Sequence, residues 1–135
     1  MKEKTFKISA DGIQNLIEPF GGCMATDKIT VNGELVEFMY RDTPDFKDDS
    51  GWRFLSGTES QEYADNPDNW GIYDVNTIAN YDSSIIKYLD SPFGTELERI
   101  QRTKEFMTVN SNKGIRSLQN SLNIAYPSNC NIDLK

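Results

Sequence analysis

Apolar residues along the chain come in short runs separated by turn residues, a pattern typical of short strands. Two such runs, Cys23–Thr26 and Ile29–Val31, precede Asn32-Gly33, and a third run covers residues 35–40. An Asn-Gly pair is favoured in type I′ turns, because both central residues need a positive φ. The pattern therefore predicts a β-hairpin over about residues 28–41.

Further short elements follow the same logic. Strands are predicted at Trp52–Leu55, which lies between two glycines, and at Trp70–Tyr73, which follows a loop. Helical spacing of apolar residues predicts short helices at 13–17, after Asp74 and after Asp82, the two aspartates serving as N-caps.

The C-terminal part of the chain is less regular. Residues 97–109 fit a strand or a helix, whereas Ile115, Leu118 and Leu122 share one helical face. Strands and helices do not alternate regularly, which argues against a parallel doubly wound sheet. The sequence predicts one α+β domain over residues 1–135, with an antiparallel sheet and flanking short helices.

Charge is distributed unevenly. The net charge is -7, but residues 34–98 carry 15 acidic and four basic side chains, and residues 99–135 carry two acidic and six basic ones. Such an acidic segment repels phosphate backbones, which argues against a nucleic-acid partner, and it attracts basic proteins. The alternative is a solvated surface that keeps the protein soluble.

The chain lacks the residues and motifs on which most standard catalytic mechanisms depend. The chain has no histidine, no Walker A motif and no GxGxxG motif, so we predict no hydrolase or oxidoreductase activity and no cofactor. Two Asp-rich loops, 45–51 and 65–71, place glycine at position 7 where an EF-hand needs it at position 6, so no metal site is predicted. A carbohydrate enzyme that uses two of the clustered carboxylates is the catalytic alternative.

Cysteine and hydropathy patterns bear on the compartment. Cys23 and Cys130 are too few for a disulfide framework, so both are predicted to be unpaired thiols in a cytoplasmic protein. No apolar run approaches the ~20 residues that a membrane span needs. Residues 1–10 lack the apolar segment of a signal peptide.

The tryptophans and acids suggest where a partner would bind. Trp52 stands beside Phe54 in a strand and is predicted to be core, whereas Trp70 stands among Asn and Gly and is predicted to be an exposed anchor. The turns that bracket strand Trp52–Leu55 are expected to converge into one acidic face. The predicted partner-binding residues are Asp42, Asp45, Asp48, Asp49, Glu59, Glu62, Asp65, Asp68 and Trp70.

Several segments taken in order carry a family resemblance. They are Cys23–Val31, Met39–Arg41, Asp49–Phe54, Asn76–Asp82 and Leu89–Pro92. In this order they resemble the bacterial immunity-protein 33 family over about residues 20–95, leaving 96–135 as a C-terminal extension. The chain departs from the family pattern at Glu37-Phe38, where a Gly and a Tyr are expected.

The resemblance implies an α+β fold, no catalytic residues, and neutralisation of a toxin encoded nearby in a bacterial genome. A basic protein toxin is the partner that an acidic face would suit. The alternative function is a domain that binds a carbohydrate or another small molecule and has a merely solubilising acidic surface.

Overall fold

The computed structural model describes residues 4–109, in which six strands form one sheet. The strands are β1 (Gly22–Thr26), β2 (Phe38–Arg41), β3 (Asp49–Leu55), β4 (Trp70–Asp74), β5 (Glu96–Arg99) and β6 (Phe106–Thr108). Their order in the sheet is β4-β1-β3-β2-β5-β6. β1 and β3 are parallel, and the other neighbours are antiparallel.

Short helices connect the strands. The α-helices are α1 (Asp27–Thr30), α2 (Gln61–Asp65) and α3 (Val75–Tyr81), and 3-10 helices cover Ala10–Gly12, Pro67–Asn69 and Ser83–Tyr88. The predicted α+β fold, a mainly antiparallel sheet with flanking short helices, is confirmed. The alternatives left open at 97–109 resolve into β5 and β6, and the helix predicted at 115–122 lies outside the described residues.

Alternation along the central strand sorts its side chains onto two faces. Trp52 and Phe54 point to the face covered by α3, where they stack with ring centroids 6.0 Å apart and join the larger apolar core. Leu55 points to the other face and packs with Trp70 and Ala64 of α2. A period of two in a buried strand thus supplies both cores.

The hairpin predicted over residues 28–41 is wrong. Asp27–Thr30 forms α1, and Gly33 ends it with φ 81 and with its N–H bonded to the Ile29 carbonyl at 2.9 Å. Asn-Gly is as well suited to a helix end as to a type I′ turn, because both need a positive φ. β2 pairs instead with β3 and β5.

The helix predicted at 13–17 is also wrong, because side chains of α3 hold this segment in another conformation. The Asn76 side-chain oxygen accepts the N–H groups of Leu16 (2.8 Å) and Ile17 (3.3 Å). The Asn80 side-chain oxygen accepts the N–H of Gln14 at 2.9 Å. Two asparagines one helical turn apart therefore clamp the segment against the outer side of α3.

Candidate partner-binding site

The acids predicted to form one face lie at opposite ends of β3, so the expectation that they converge is wrong. Asp42, Asp45, Asp48 and Asp49 precede or begin the strand, whereas Glu59, Glu62, Asp65 and Asp68 follow its end. A seven-residue strand is about 20 Å long. We call the first set the leading acids and the second set the trailing acids.

One of the leading acids is buried and forms its hydrogen bonds within the protein. The Asp49 carboxylate forms two hydrogen bonds with the Arg53 guanidinium, at 3.0 and 2.8 Å, and also accepts the N–H groups of Asp45 (2.7 Å) and Gly51 (2.8 Å). Burial raises the pKa of Asp49, but Arg53 and the two backbone donors outweigh it and lower the pKa below 3.8. With its side chain enclosed, Asp49 cannot present charge to a partner.

One of the trailing acids is also used internally. Glu59 is buried, and its carboxylate accepts hydrogen bonds from the Thr26 hydroxyl (2.5 Å), the Ser56 N–H (2.8 Å) and the Gly57 N–H (2.9 Å). It ties the loop after β3 to the end of β1, so its role is structural.

The predicted exposure of Trp70 is wrong. Its side chain is 4% exposed, and its indole N–H donates to the Ala64 carbonyl at 2.9 Å. α2 covers this end of the sheet, so Trp70 is buried even though its neighbours in the sequence are polar. Trp52 is fully buried, as predicted, and donates its indole N–H to the Leu89 carbonyl at 3.0 Å.

The remaining acids are accessible to a partner. Asp45, Asp48, Glu62 and Asp68 are exposed, and Asp42 and Asp65 are half-buried. Three of the six are leading acids and three are trailing acids, so exposure alone does not favour either end of β3.

A groove of about 840 Å³ distinguishes the end that carries the leading acids. It is bounded by β4, by the start of β3, by the end of β2 and by two loops. Its side chains include Phe20, Arg41, Asp48, Ile72, Asp74 and Phe93. Two of them, Ile72 and Phe93, are large apolar residues that are 49% and 54% exposed, respectively. Exposed apolar side chains beside a cavity are a common feature of binding sites.

Arg41 forms part of the wall of this groove. Its Nε donates to the Ser50 carbonyl at 2.8 Å, and its Nη1 donates to the Ser91 carbonyl at 2.8 Å. The guanidinium lies 4.4 Å from the ring centroid of Phe93 and 5.3 Å from that of Phe20. Burial lowers the pKa of Arg41, an effect that the charge of Asp90 opposes. These contacts hold the Arg41 guanidinium at one side of the groove.

A second arginine near the start of β3, Arg53, is structural. Arg53 is fully buried and pairs with Asp49 at 2.8 Å and with Asp45 at 3.2 Å. Within residues 4–109, no three acidic or cysteine side chains form a possible metal site. No helix in that part of the chain is long and apolar enough to cross a membrane.

The family model for the immunity protein Imm33 domain matches residues 23–110. The chain belongs to the Imm33 family. The match begins at the second residue of β1 and continues beyond β6, so it includes β2 to β6 and all but the first residue of β1. It extends the resemblance noted over 20–95 to the two strands that the sequence left undecided. No curated protein and no solved structure is detectably similar to the chain.

The Imm33 match contains most of the groove. Arg41, Asp48, Ile72 and Phe93 lie within it, whereas Phe20 comes just before it. The sequence did not reveal the groove because these residues come from separate segments. The available signal was Phe93, an aromatic residue between Pro and Gly in a turn, where burial is not expected.

Proposed function

We propose that this Imm33 domain neutralises a cognate protein toxin in the bacterial cytoplasm by binding it, without catalysis. The surface proposed for this contact comprises the exposed or half-buried leading acids and the adjoining groove. The observation that carries the proposal is their juxtaposition, since Asp48 belongs to both. Charge at the rim speeds encounter with a basic partner, and buried apolar anchors slow its dissociation.

The charge of the chain supports this assignment. The 34–98 segment has 15 acids against four bases, and three of those acids, Asp42, Asp45 and Asp48, stand on the loop that runs into β3. Like charges gathered on a surface repel one another, and a basic partner removes that cost. Neutralisation through this contact requires no catalytic group, in keeping with the absence of histidine.

The experiment is a protection assay against the toxin encoded beside this gene. Toxin expression is induced in a bacterial host that carries the wild-type protein or one of two double variants. Asp42→Asn with Asp48→Asn neutralises two of the four leading acids and leaves the two that pair with Arg53 unchanged. Glu62→Gln with Asp68→Asn removes the same charge from the trailing acids and is the matched control.

We expect the leading-acid variant to lose protection and to associate with purified toxin at least about threefold more slowly at low salt. Raised salt should slow the wild type toward the rate of this variant, because ions screen exposed charges. The control should behave like the wild type. Equal behaviour of the two variants would place the contact elsewhere, and a reversed order would assign it to the trailing acids.

A small-molecule site is the second candidate, favoured by the size of the groove. A volume of about 840 Å³ falls within the range of ligand pockets, and aromatic side chains stack on sugar rings. A panel of mono- and oligosaccharides titrated into the labelled protein distinguishes the candidates. Saturable shifts at the groove together with no protection against the toxin would favour this second function.

A further inference from the structure

The groove has features that specify what kind of side chain it accepts. Its apolar walls are Phe20, Phe93 and Ile72, and the last two keep about half of their surface in contact with solvent. Such surface is stabilised when an apolar guest covers it. An aliphatic or an aromatic guest would satisfy this requirement equally, so the walls alone do not choose between them.

Arg41 favours an aromatic guest. Three carbonyl groups hold its guanidinium, those of Ser50, Leu89 and Ser91, and no carboxylate among residues 4–109 forms an ion pair with it. It is therefore a positioned cation that lines the groove next to the Phe93 ring. Aromatic rings bind favourably to guanidinium groups and to other rings, whereas aliphatic side chains gain only their buried area.

Two carboxylates at the groove would attract basic side chains that stand next to the aromatic guest in the partner. Asp48 has φ 65 and is exposed, and its own carbonyl accepts the Gly22 N–H at 2.7 Å. Asp74 is exposed and lies opposite Gly22 in the β1–β4 register. Asp74 also occupies the N-cap of α3 without making a side-chain capping bond. Two acids thus flank one strand end, and neither carboxylate accepts a hydrogen bond from another residue of 4–109.

We propose that the groove receives an aromatic side chain of the toxin that has a lysine or arginine beside it. The ring packs against the exposed surfaces of Phe93 and Ile72, beside the Arg41 guanidinium, and the neighbouring cation contacts Asp48 or Asp74. This inference rests on the proposed function, because it names the part of the toxin that the groove binds. An anionic ligand held by Arg41 is the opposite outcome.

Three capped tripeptides test the specificity directly. Acetyl-Arg-Trp-Arg-amide has both features, acetyl-Arg-Ala-Arg-amide lacks the ring, and acetyl-Glu-Trp-Glu-amide reverses the charge. Each is titrated into the isotope-labelled full chain, and amide shifts of Gly22, Ser50 and Tyr73 report occupancy of the groove. We expect the first peptide to bind about tenfold or more tightly than either of the others, a ratio that titrations in the millimolar range can resolve.

Two variants assign the peptide to the groove. Phe93→Ala removes an exposed ring and should weaken the Arg-Trp-Arg peptide severalfold, and Asp48→Asn, which tolerates the same positive φ, should weaken it in the same direction. Ile100→Ala, at another exposed apolar position, is the control and should change nothing. Tighter binding of the Glu-Trp-Glu peptide, or binding insensitive to Phe93→Ala, would overturn the proposal.

The protection assay separates this inference from the proposed function. If the peptides do not shift groove amides while the wild-type protein still neutralises the toxin, the groove assignment is wrong and the immunity function stands. If the Arg-Trp-Arg peptide binds as expected but no protection is seen, the groove specificity is supported and its use against this toxin is rejected.

Discussion

Replacing Asp49 with asparagine tests whether the start of β3 depends on a buried ion pair. The substitution Asp49→Asn keeps the shape of the side chain and removes its charge. Arg53 is fully buried, and its partner carboxylate is enclosed as well, so the change leaves a cation in the core without its main partner. The amide nitrogen of Asn also cannot accept the N–H groups that the second carboxylate oxygen accepts now.

The structure sets the size of the effect. Removing one partner of a buried pair costs about 3–5 kcal/mol, because the remaining charge stays buried. A second carboxylate, Asp45, lies 3.2 Å from Arg53 and retains part of the attraction. The lower end, about 3 kcal/mol, is therefore expected, out of a total stability of about 5–15 kcal/mol for a domain of this kind.

Urea unfolding followed by tryptophan fluorescence measures this loss, because Trp52 is fully buried and stacks with Phe54. The midpoint should fall with little change in slope. Asp48→Asn, at the preceding position, is the matched control. Its exposed side chain forms no ion pair with another residue of 4–109, so the free energy of unfolding should change by less than about 0.5 kcal/mol.

The pH dependence gives an independent check on the same group. The pKa of Asp49 is lowered in the folded protein from 3.8, so the unfolded state binds the proton first as the pH falls. Its stabilising contribution is present above 3.8 and is lost as the pH falls through the folded pKa. The stability difference between the wild type and Asp49→Asn should therefore shrink below about pH 4. A cost below about 1 kcal/mol at neutral pH, or a difference that grows in acid, would refute the reasoning.

Three further predictions concern single positions. Gly51→Ala should lower the free energy of unfolding in urea by more than about 2 kcal/mol, since φ at this position is 91 and the new Cβ would lie 2.1 Å from the Asp42 carbonyl oxygen. Gly94→Ala is the matched control: its φ is 92 but the new Cβ would meet open space, so the loss should be about 1 kcal/mol. Trp52→Phe should lower the free energy of unfolding by about 2 kcal/mol in urea unfolding followed by circular dichroism, because the smaller ring leaves a cavity in the core and the Leu89 carbonyl keeps only the longer bond from Arg41; an unchanged midpoint would contradict this. Burial raises the pKa of the Cys23 thiol well above its usual range, so mass spectrometry should show it unalkylated in the native protein and alkylated in urea; modification without denaturant would contradict this.

Short sequence patterns correctly predicted the elements that depend only on neighbouring residues in the chain. The strand at Trp52–Leu55 and the cap at Asp82 both follow from a short pattern, and both are present. The hairpin prediction from Asn32-Gly33 was wrong because an Asn-Gly pair is favoured both in a hairpin turn and at a helix end. The deciding fact is that β3 lies between β1 and β2 in the sheet. Strands that are not neighbours cannot form a hairpin, so the chain leaves β1 through α1 and crosses to the far side of β3 before β2 begins.

The predicted acidic face failed for a reason that was already visible in the sequence. Acids that bracket a strand lie at its two ends, and a seven-residue strand keeps those ends about 20 Å apart. Convergence would require one of the loops to fold back along the sheet. Glu59 shows that the trailing loop does not, because it is fastened to Thr26 at the end of β1.

The groove was hidden from sequence reasoning because its charge and its apolar surface come from different strands. Arg41 ends β2, Asp48 precedes β3, and Ile72 lies in β4. The parallel pairing of β1 with β3 brings the start of β3 beside the start of β1, and antiparallel β4 brings its own end to the same place. Because the sheet order assembles the site, a change in local sequence can alter its specificity without altering the fold.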